Sequence, residues 1–254
     1  TVGTGDNINQ NNYTFVDWLW KANGGTTSSN SDGSITSTVQ ANTDAGFSIV
    51  TYTGDNGSSA TLGHGLGAVP AMIILKKRNA ADHWAVYHQS LGNTKSAYLS
   101  LGNAPDTNIS FWNNTTPTSS VFTVGTDNMM NASNTYVAYC FAEVEGYSKF
   151  GSYIGNGSTN GPFVYLGFRP AFLMLKNTNT ANSWRMWVDD GDGNVEKNGV
   201  YPDSSSAEDT PTNWYVDWLS NGFKIRASQG EANGSGNTFI YMAFAEQPFK
   251  YANA

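Results

Sequence analysis

Two stretches of this chain, separated by one hundred residues, carry nearly the same sequence, so any fold must be assembled twice from one unit. Gly67-Ala-Val-Pro-Ala-Met-Ile-Ile-Leu-Lys76 aligns with Gly167-Phe-Arg-Pro-Ala-Phe-Leu-Met-Leu-Lys176. The same offset pairs Asn79 with Asn179, Ala81 with Ala181 and Trp84 with Trp184. Farther along, Phe122-Thr-Val answers Phe223-Lys-Ile, and Tyr136-Val-Ala-Tyr-Cys-Phe-Ala-Glu143 answers Phe239-Ile-Tyr-Met-Ala-Phe-Ala-Glu246. Upstream, Thr51-Tyr-Thr-Gly54 answers Ser152-Tyr-Ile-Gly155. The offset drifts only from 100 to 103, as loop insertions produce.

A third, partial copy stands at the N-terminus, where Thr1-Val-Gly-Thr4 and Phe15-Val-Asp-Trp-Leu-Trp20 parallel Thr123-Val-Gly-Thr126 and Tyr136-Val-Ala-Tyr-Cys-Phe141. The expectation is therefore a C-terminal piece of a longer polypeptide, with residues 1–22 closing a truncated repeat. Residues 23–46, rich in Gly, Ser, Thr and Asn, read as a linker or long loop. Full repeats then occupy 47–146 and 147–254.

The repeated segments are short, rich in β-branched and aromatic residues, and punctuated by Gly, Pro and Asn, which predicts strands. In the first repeat they fall near Phe47–Tyr52, Met72–Lys77, His83–His88, Ala97–Leu101, Ile109–Trp112, Val121–Val124 and Thr135–Glu143. In the second they fall near Gly151–Ile154, Ala171–Lys176, Trp184–Val188, Trp214–Trp218, Phe223–Arg226 and Phe239–Ala245. Strands this short and frequent predict an all-β fold of tandem antiparallel β-sandwich repeats, lectin- or jelly-roll-like, of about 100 residues each. Both alternating sets of Tyr136–Ala142 are apolar, which marks a central strand covered on both faces.

Charge narrows the partners. Lys and Arg number 13 against 20 Asp and Glu, a formal net charge of −7, and the longest basic run is Lys76-Lys77-Arg78. That is no footprint for a phosphate backbone, and no apolar stretch is long enough to cross a bilayer as a helix, so nucleic acid and membrane insertion are not expected. Aromatics at 13% supply enough apolar surface to fold. The lone cysteine, Cys140, allows no intrachain disulfide and lies in an apolar strand where its thiol should be inert.

No nucleophile elbow, zinc-protease helix motif or Walker loop occurs, and the expectation is a protein that is not an enzyme. His64 in Gly63-His-Gly-Leu-Gly67 faces Val164 in the second copy, and His83 and His88 face Ser183 and Val188. A function shared by both copies cannot use them, and they read as structural. Glu143 and Glu145 project to one side of a strand end, as a glycosidase pair would, yet only Glu143 recurs, as Glu246; a carboxylate bonded to backbone is the simpler reading. Asp190, Asp192, Asn194 and Glu196 place oxygens at alternate positions of a glycine-bearing loop, a candidate calcium site that departs from the EF-hand spacing. Trp112, Trp214 and Trp218 beside Asn- and Thr-rich loops are the candidate ligand-binding residues, because an aromatic face beside hydrogen-bonding groups suits a sugar. Asn-x-Ser/Thr triplets at Asn56, Asn108, Asn131, Asn156 and Asn233 follow from composition alone.

Several segments together carry a resemblance. They are Phe47-Ser-Ile-Val-Thr-Tyr-Thr-Gly54, Gly63-His-Gly-Leu-Gly67, Pro70-Ala-Met-Ile-Ile-Leu-Lys-Lys-Arg78, Trp84-Ala-Val-Tyr-His88, the run from Tyr136 to Tyr153, and Ala243-Phe-Ala-Glu-Gln-Pro-Phe-Lys-Tyr251. Residues 47–254 resemble the tandem repeats of tail-fibre-like structural proteins of tailed, often marine, bacteriophages. The resemblance implies a virion, extracellular protein with concanavalin-type sandwich domains, set at the distal end of a fibre that contacts a host cell-surface glycan or protein. It further implies a homo-oligomer, a trimer around a fibre axis, in contact with other virion proteins. It carries no binding motif, and the second copy lacks the His-Gly-Leu-Gly turn. Two other readings remain open: an assembly or surface-filament protein without a ligand, and a polysaccharide depolymerase or glycoside hydrolase with two carboxylates about 5–9.5 Å apart in a cleft.

Overall fold

The structure is a computed structural model that describes residues 9–13, 15, 18–189, 194–208 and 215–246. Its regular structure is almost all antiparallel strand, in sheets stacked face to face. The widest sheet has the order β1 (Ser28–Asn30), β2 (Ser37–Asn42), β3 (Phe47–Thr53), β10 (Thr135–Ala142), β5 (Pro70–Lys77), β6 (Trp84–His88), β7 (Lys95–Tyr98), β8 (Asp106–Thr107). Against one face lies the ribbon of β4 (Ala60–Gly63) and β9 (Val121–Val124). The second half builds a sheet in the order β11 (Ser148–Ile154), β17 (Thr238–Ala245), β13 (Pro170–Asn177), β14 (Arg185–Val188), and a smaller one in the order β12 (Phe163–Tyr165), β16 (Gly222–Ile225), β15 (Val216–Leu219).

Side-chain alternation turns these sheets into four layers with three cores between them. In β10, Tyr136, Ala138, Cys140 and Ala142 enter the core shared with β4 and β9, while Phe141 points the other way. In β17, Phe239, Tyr241 and Ala243 face β15 and β16, while Ile240, Met242 and Phe244 face the first half. The middle core thus joins Phe47, Met72, Ile74 and Phe141 to Phe150, Phe172, Met174 and Phe244. The halves share this core rather than standing apart as two self-contained sandwiches, because β5, β10, β13 and β17 are each apolar on both faces.

Polar contacts stitch the same junction. The His88 ring accepts from Ser90 N at Nδ1 (3.1 Å) and donates from Nε2 to the Tyr241 carbonyl (3.0 Å), which fixes the neutral Nε2–H tautomer. Burial pushes its pKa down to about 4. Trp184 Nε1 donates to the Tyr98 carbonyl at 2.7 Å, and buried Lys176 donates to the Gly102 carbonyl at 2.7 Å and to that of Asn182.

Each half closes with the same lock. A one-turn helix, α2 (Asn128–Asn131) or α3 (Gly230–Asn233), ends in a buried asparagine. Asn131 Nδ2 donates to Asp55 Oδ1 (2.8 Å) and Ser58 O (3.0 Å); Asn233 Nδ2 donates to Asn156 Oδ1 (2.9 Å) and Ser158 O (2.8 Å). Tyr52 Oη donates to Met130 O at 2.6 Å as Tyr153 Oη donates to Ala232 O at 2.5 Å. Asn131 and Asn233 are spent on these turns and are closed to any glycosylating enzyme.

Two expectations are corrected. Residues 23–46 are not simply a linker: β1 and β2 form a hairpin whose second strand pairs with β3 and buries Ser37 and Val39. Its small polar composition hid that alternation. Ile109–Trp112 is not a strand but a helical turn, α1, started by Asn108 Oδ1 accepting from Ser110 N and stopped by Asn113 at φ 50°. Phe111 and Trp112, adjacent in sequence, are both buried, which a turn allows and an alternating strand does not.

Candidate ligand-binding cleft

A cleft of about 840 Å³ opens beside the middle core, within the size range of ligand sites. One wall is the N-terminal segment. Trp18 packs edge-on against Phe172 (6.2 Å between centroids), and Trp20 packs edge-on against Phe141 (5.8 Å) and Phe172 (5.6 Å). This docking leaves Tyr13 and Phe15 65% and 49% exposed at the mouth. The Trp18 indole N–H is buried and has no hydrogen-bond partner among the described residues.

The opposite wall, Tyr201 to Glu208, follows a two-way bridge between Met186 and Val200, which form the floor. The Arg185 guanidinium, itself buried, lies 4.3 Å over the Tyr201 ring and 5.6 Å from Trp187, a cation–π sandwich that fixes Tyr201. Beyond it Ser204, Ser205 and Ser206 line the wall, with the Ser204 and Ser206 hydroxyls 2.8 Å apart, and Glu208 stands at the rim. Glu208 is the one carboxylate lining this cleft among the described residues. Four aromatic rings, three hydroxyls and a carboxylate form a concave surface that can stack on the C–H face of a sugar and bond its hydroxyls.

The described residues among those expected to bind ligand lie elsewhere. Trp112 is 1% exposed in the first core and Trp218 2% exposed in the third, so neither offers a face to a ligand. Both occupy inward positions where indole volume fills the sandwich. Trp214 lies outside the described residues, as do Asp190 and Asp192 of the calcium candidate. Of the other two, Asn194 Oδ1 accepts from Trp218 N at 2.7 Å, and Glu196, 3% exposed, accepts from Asn198 N at 2.8 Å. These oxygens bond to backbone N–H groups of β15 and of the following turn, and no group of three or more His, Cys, Asp or Glu suited to a metal occurs among the described residues.

The histidines and the single cysteine lie outside the cleft's lining. His64 is fully buried, accepting from Leu66 N at Nδ1 (3.2 Å) and donating to Thr118 O (3.1 Å), and burial lowers its pKa. His83 contacts Ser100 Oγ at 3.1 Å. Burial pushes the Cys140 thiol up to about 12, the inert state expected of it. Glu143 Oε1 accepts from Phe150 N (3.0 Å) and Gln89 Nε2 (2.9 Å), tying the end of β10 to β11 as a backbone-bonding carboxylate.

Sequence reading missed Tyr13, Phe15, Trp18 and Tyr201 as a group. The aromatic-then-serine run of Tyr201–Ser206 was a local signal, but its meeting with Tyr13, Phe15 and Trp18 is a tertiary event.

No curated protein and no solved structure matches this chain. One family model runs through both halves, and by its match to residues 1–248 the chain belongs to the family described as a domain of unknown function, DUF7483.

Proposed function

We propose that this protein is a structural component of a bacteriophage virion appendage, tail-fibre-like, that contacts the host surface by binding a glycan in the cleft between Tyr13, Phe15 and Trp18 on one side and Tyr201–Glu208 on the other. The carrying observation is the cleft itself, with four aromatic residues, three serine hydroxyls and a buried indole N–H without a partner among the described residues. The resemblance of residues 47–254 to phage tail-fibre-like repeats supplies the setting: outside the cell, as a homo-oligomer joined to other virion proteins. The protein acts by holding a surface rather than by transforming it.

The test is adsorption of labelled protein to intact candidate host cells, with and without EDTA, while the supernatant is assayed for released sugar. Saturable adsorption without sugar release, lost in Tyr201→Ala, is the expected result. EDTA sensitivity would bring back the calcium loop at 190–196, sugar release would make the protein a depolymerase, and adsorption to no host would leave an assembly role.

A further inference from the structure

The outer face of the β12-β16-β15 sheet is a separate feature. Val164, Phe223, Trp218, Val216 and Ile225 turn inward, and register places the alternate residues together on the outside. Tyr165, Gly222 and Leu219 form one row and Phe163, Lys224 and Asp217 the next. Arg226 follows, its Nε 3.3 Å from Asp217, and Lys197 lies 5.9 Å from the Tyr215 ring. Phe163 and Tyr165 are 46% and 61% exposed, side by side on a rigid strand about 7 Å apart. Among the described residues three cations and one carboxylate share this face, in a chain whose net charge is −7.

A protein partner fits poorly here. Three strands at about 4.8 Å spacing and four residues of about 3.4 Å rise give roughly 200 Å², far below the ~800 Å² per side of a stable interface. Strand addition is opposed at the open edge, where Pro162 immediately precedes β12 and presents no N–H. A small, flat, aromatic and cationic face suits a ring-shaped, anionic, hydroxyl-rich ligand.

We propose that this face is a second binding surface, specific for carboxylate-bearing saccharides, with Phe163 and Tyr165 stacking on sugar rings and Lys224, Arg226 and Lys197 taking the carboxylates. Lys224 Nζ is positioned by the Gly161 carbonyl (2.7 Å) and keeps further N–H donors, while Asp217 orients Arg226. The proposal rests on the glycan reading above and places a distinct contact outside the cleft.

The experiment is calorimetric titration of the whole protein with an oligogalacturonate hexamer and with maltohexaose, at low and high salt. The acidic hexamer is expected to bind at least tenfold more tightly than the neutral one and to weaken with salt. Phe163→Ala/Tyr165→Ala and Lys224→Gln/Arg226→Gln should each weaken it about tenfold, with unchanged melting temperature, and Tyr201→Ala should leave it unaltered. Equal binding of the two hexamers, no binding of the acidic one, or indifference to the platform variants overturns the proposal. Cell adsorption separates the two readings: if cells still adsorb the protein while the acidic hexamer fails, only the platform falls. If the hexamer binds and no cell does, the host-contact reading falls.

Discussion

By sheet register Thr61 and Gly63 of the first half, paired with Thr123 and Val121, correspond to Phe163 and Tyr165 of the second, paired with Lys224 and Gly222, and the two pairs lead opposite lives. Gly63 and Gly65 leave room for the N-terminal hairpin: a Cβ on Gly63 would overlap the Asn30 amide, and one on Gly65 would come 3.1 Å from Val39 Cγ1. Ser34, Ile35 and Ser37 then bond to Thr61 and Gly63 and close that side of the small sheet. At the equivalent places Phe163 and Tyr165 fill the space themselves and face outward. Thr61 and Gly63 make an internal seam and two aromatics make a surface, so one repeated unit yields a covered end and an open end.

The turn after the third strand of each half makes a second contrast. Lys77, almost fully buried, holds Asp82 at 2.7 Å, whereas Asn177 holds Asn182 through an amide pair at 3.2 Å. Burial opposes ionisation of Asp82, but the Lys77 hydrogen bond, the His83 N–H and the neighbouring lysine charges together hold its carboxyl below the usual range. One repeat solves the turn with charge and the other with neutral groups.

The sharpest way to break the first contrast is to exchange its residues. Gly63→Tyr should cost on the order of 3 kcal/mol or more in chemical denaturation, since the ring must expel the hairpin. Retention of wild-type stability would show that Asn30 and the hairpin do not seal this face.

Next in size is an acid effect confined to the half-to-half junction. The folded His88 pKa of about 4 lies below the ordinary 6.5, so between these values the unfolded chain binds the extra proton. Stability should therefore fall as pH drops from about 6.5 to about 4, by about 3 kcal/mol, and level off below. His88→Val, which installs the residue of the second half, should flatten that window in denaturation curves measured across it.

For the turns, Asp82→Asn strands a buried ammonium and should cost about 2 kcal/mol at neutral pH. Lys77→Asn/Asp82→Asn, which copies the second half, should recover most of it. The wild-type ion pair also contributes only while Asp82 is ionised, so its share is present above the ordinary carboxyl pKa and is lost as pH falls through the lowered folded value. A double variant no better than the single would show that the amide pair depends on its own half's surroundings.

The smallest effect is the reverse exchange. Tyr165→Gly removes a ring that is already more than half exposed and should stay within about 1 kcal/mol of wild type. The small stability change leaves binding at that face measurable on a folded protein.

Strand positions were legible because alternation is local. β3, β5, β6, β9, β10, β13 and β17 lie where apolar, β-branched runs place them, and the double-sided burial of β10 follows from its two apolar sets. Short elements were not legible. Ile-Ser-Phe-Trp at 109–112 fits either period over four residues, and the Asn108 side chain before it and the left-handed backbone of Asn113 after it decide for a turn. That Trp112 and Trp218 turn inward rather than toward a ligand was not legible for a related reason: an aromatic residue has the same identity on an inner or an outer face, and only the tertiary structure tells which.

What the sequence by itself determined is the repeated unit, its antiparallel strands, and the need to cover both faces of the central ones, since each of these is written in residue spacing and apolar content. Only the tertiary structure decided what does the covering. The second half lies on the outer side of the first half's widest sheet because neither half can bury both faces of β10 or β17 alone. The same packing brings Tyr13, Phe15 and Trp18 to 201–208 and leaves 163 and 165 in the open, outcomes set by contacts between segments far apart along the chain, which no local pattern encodes.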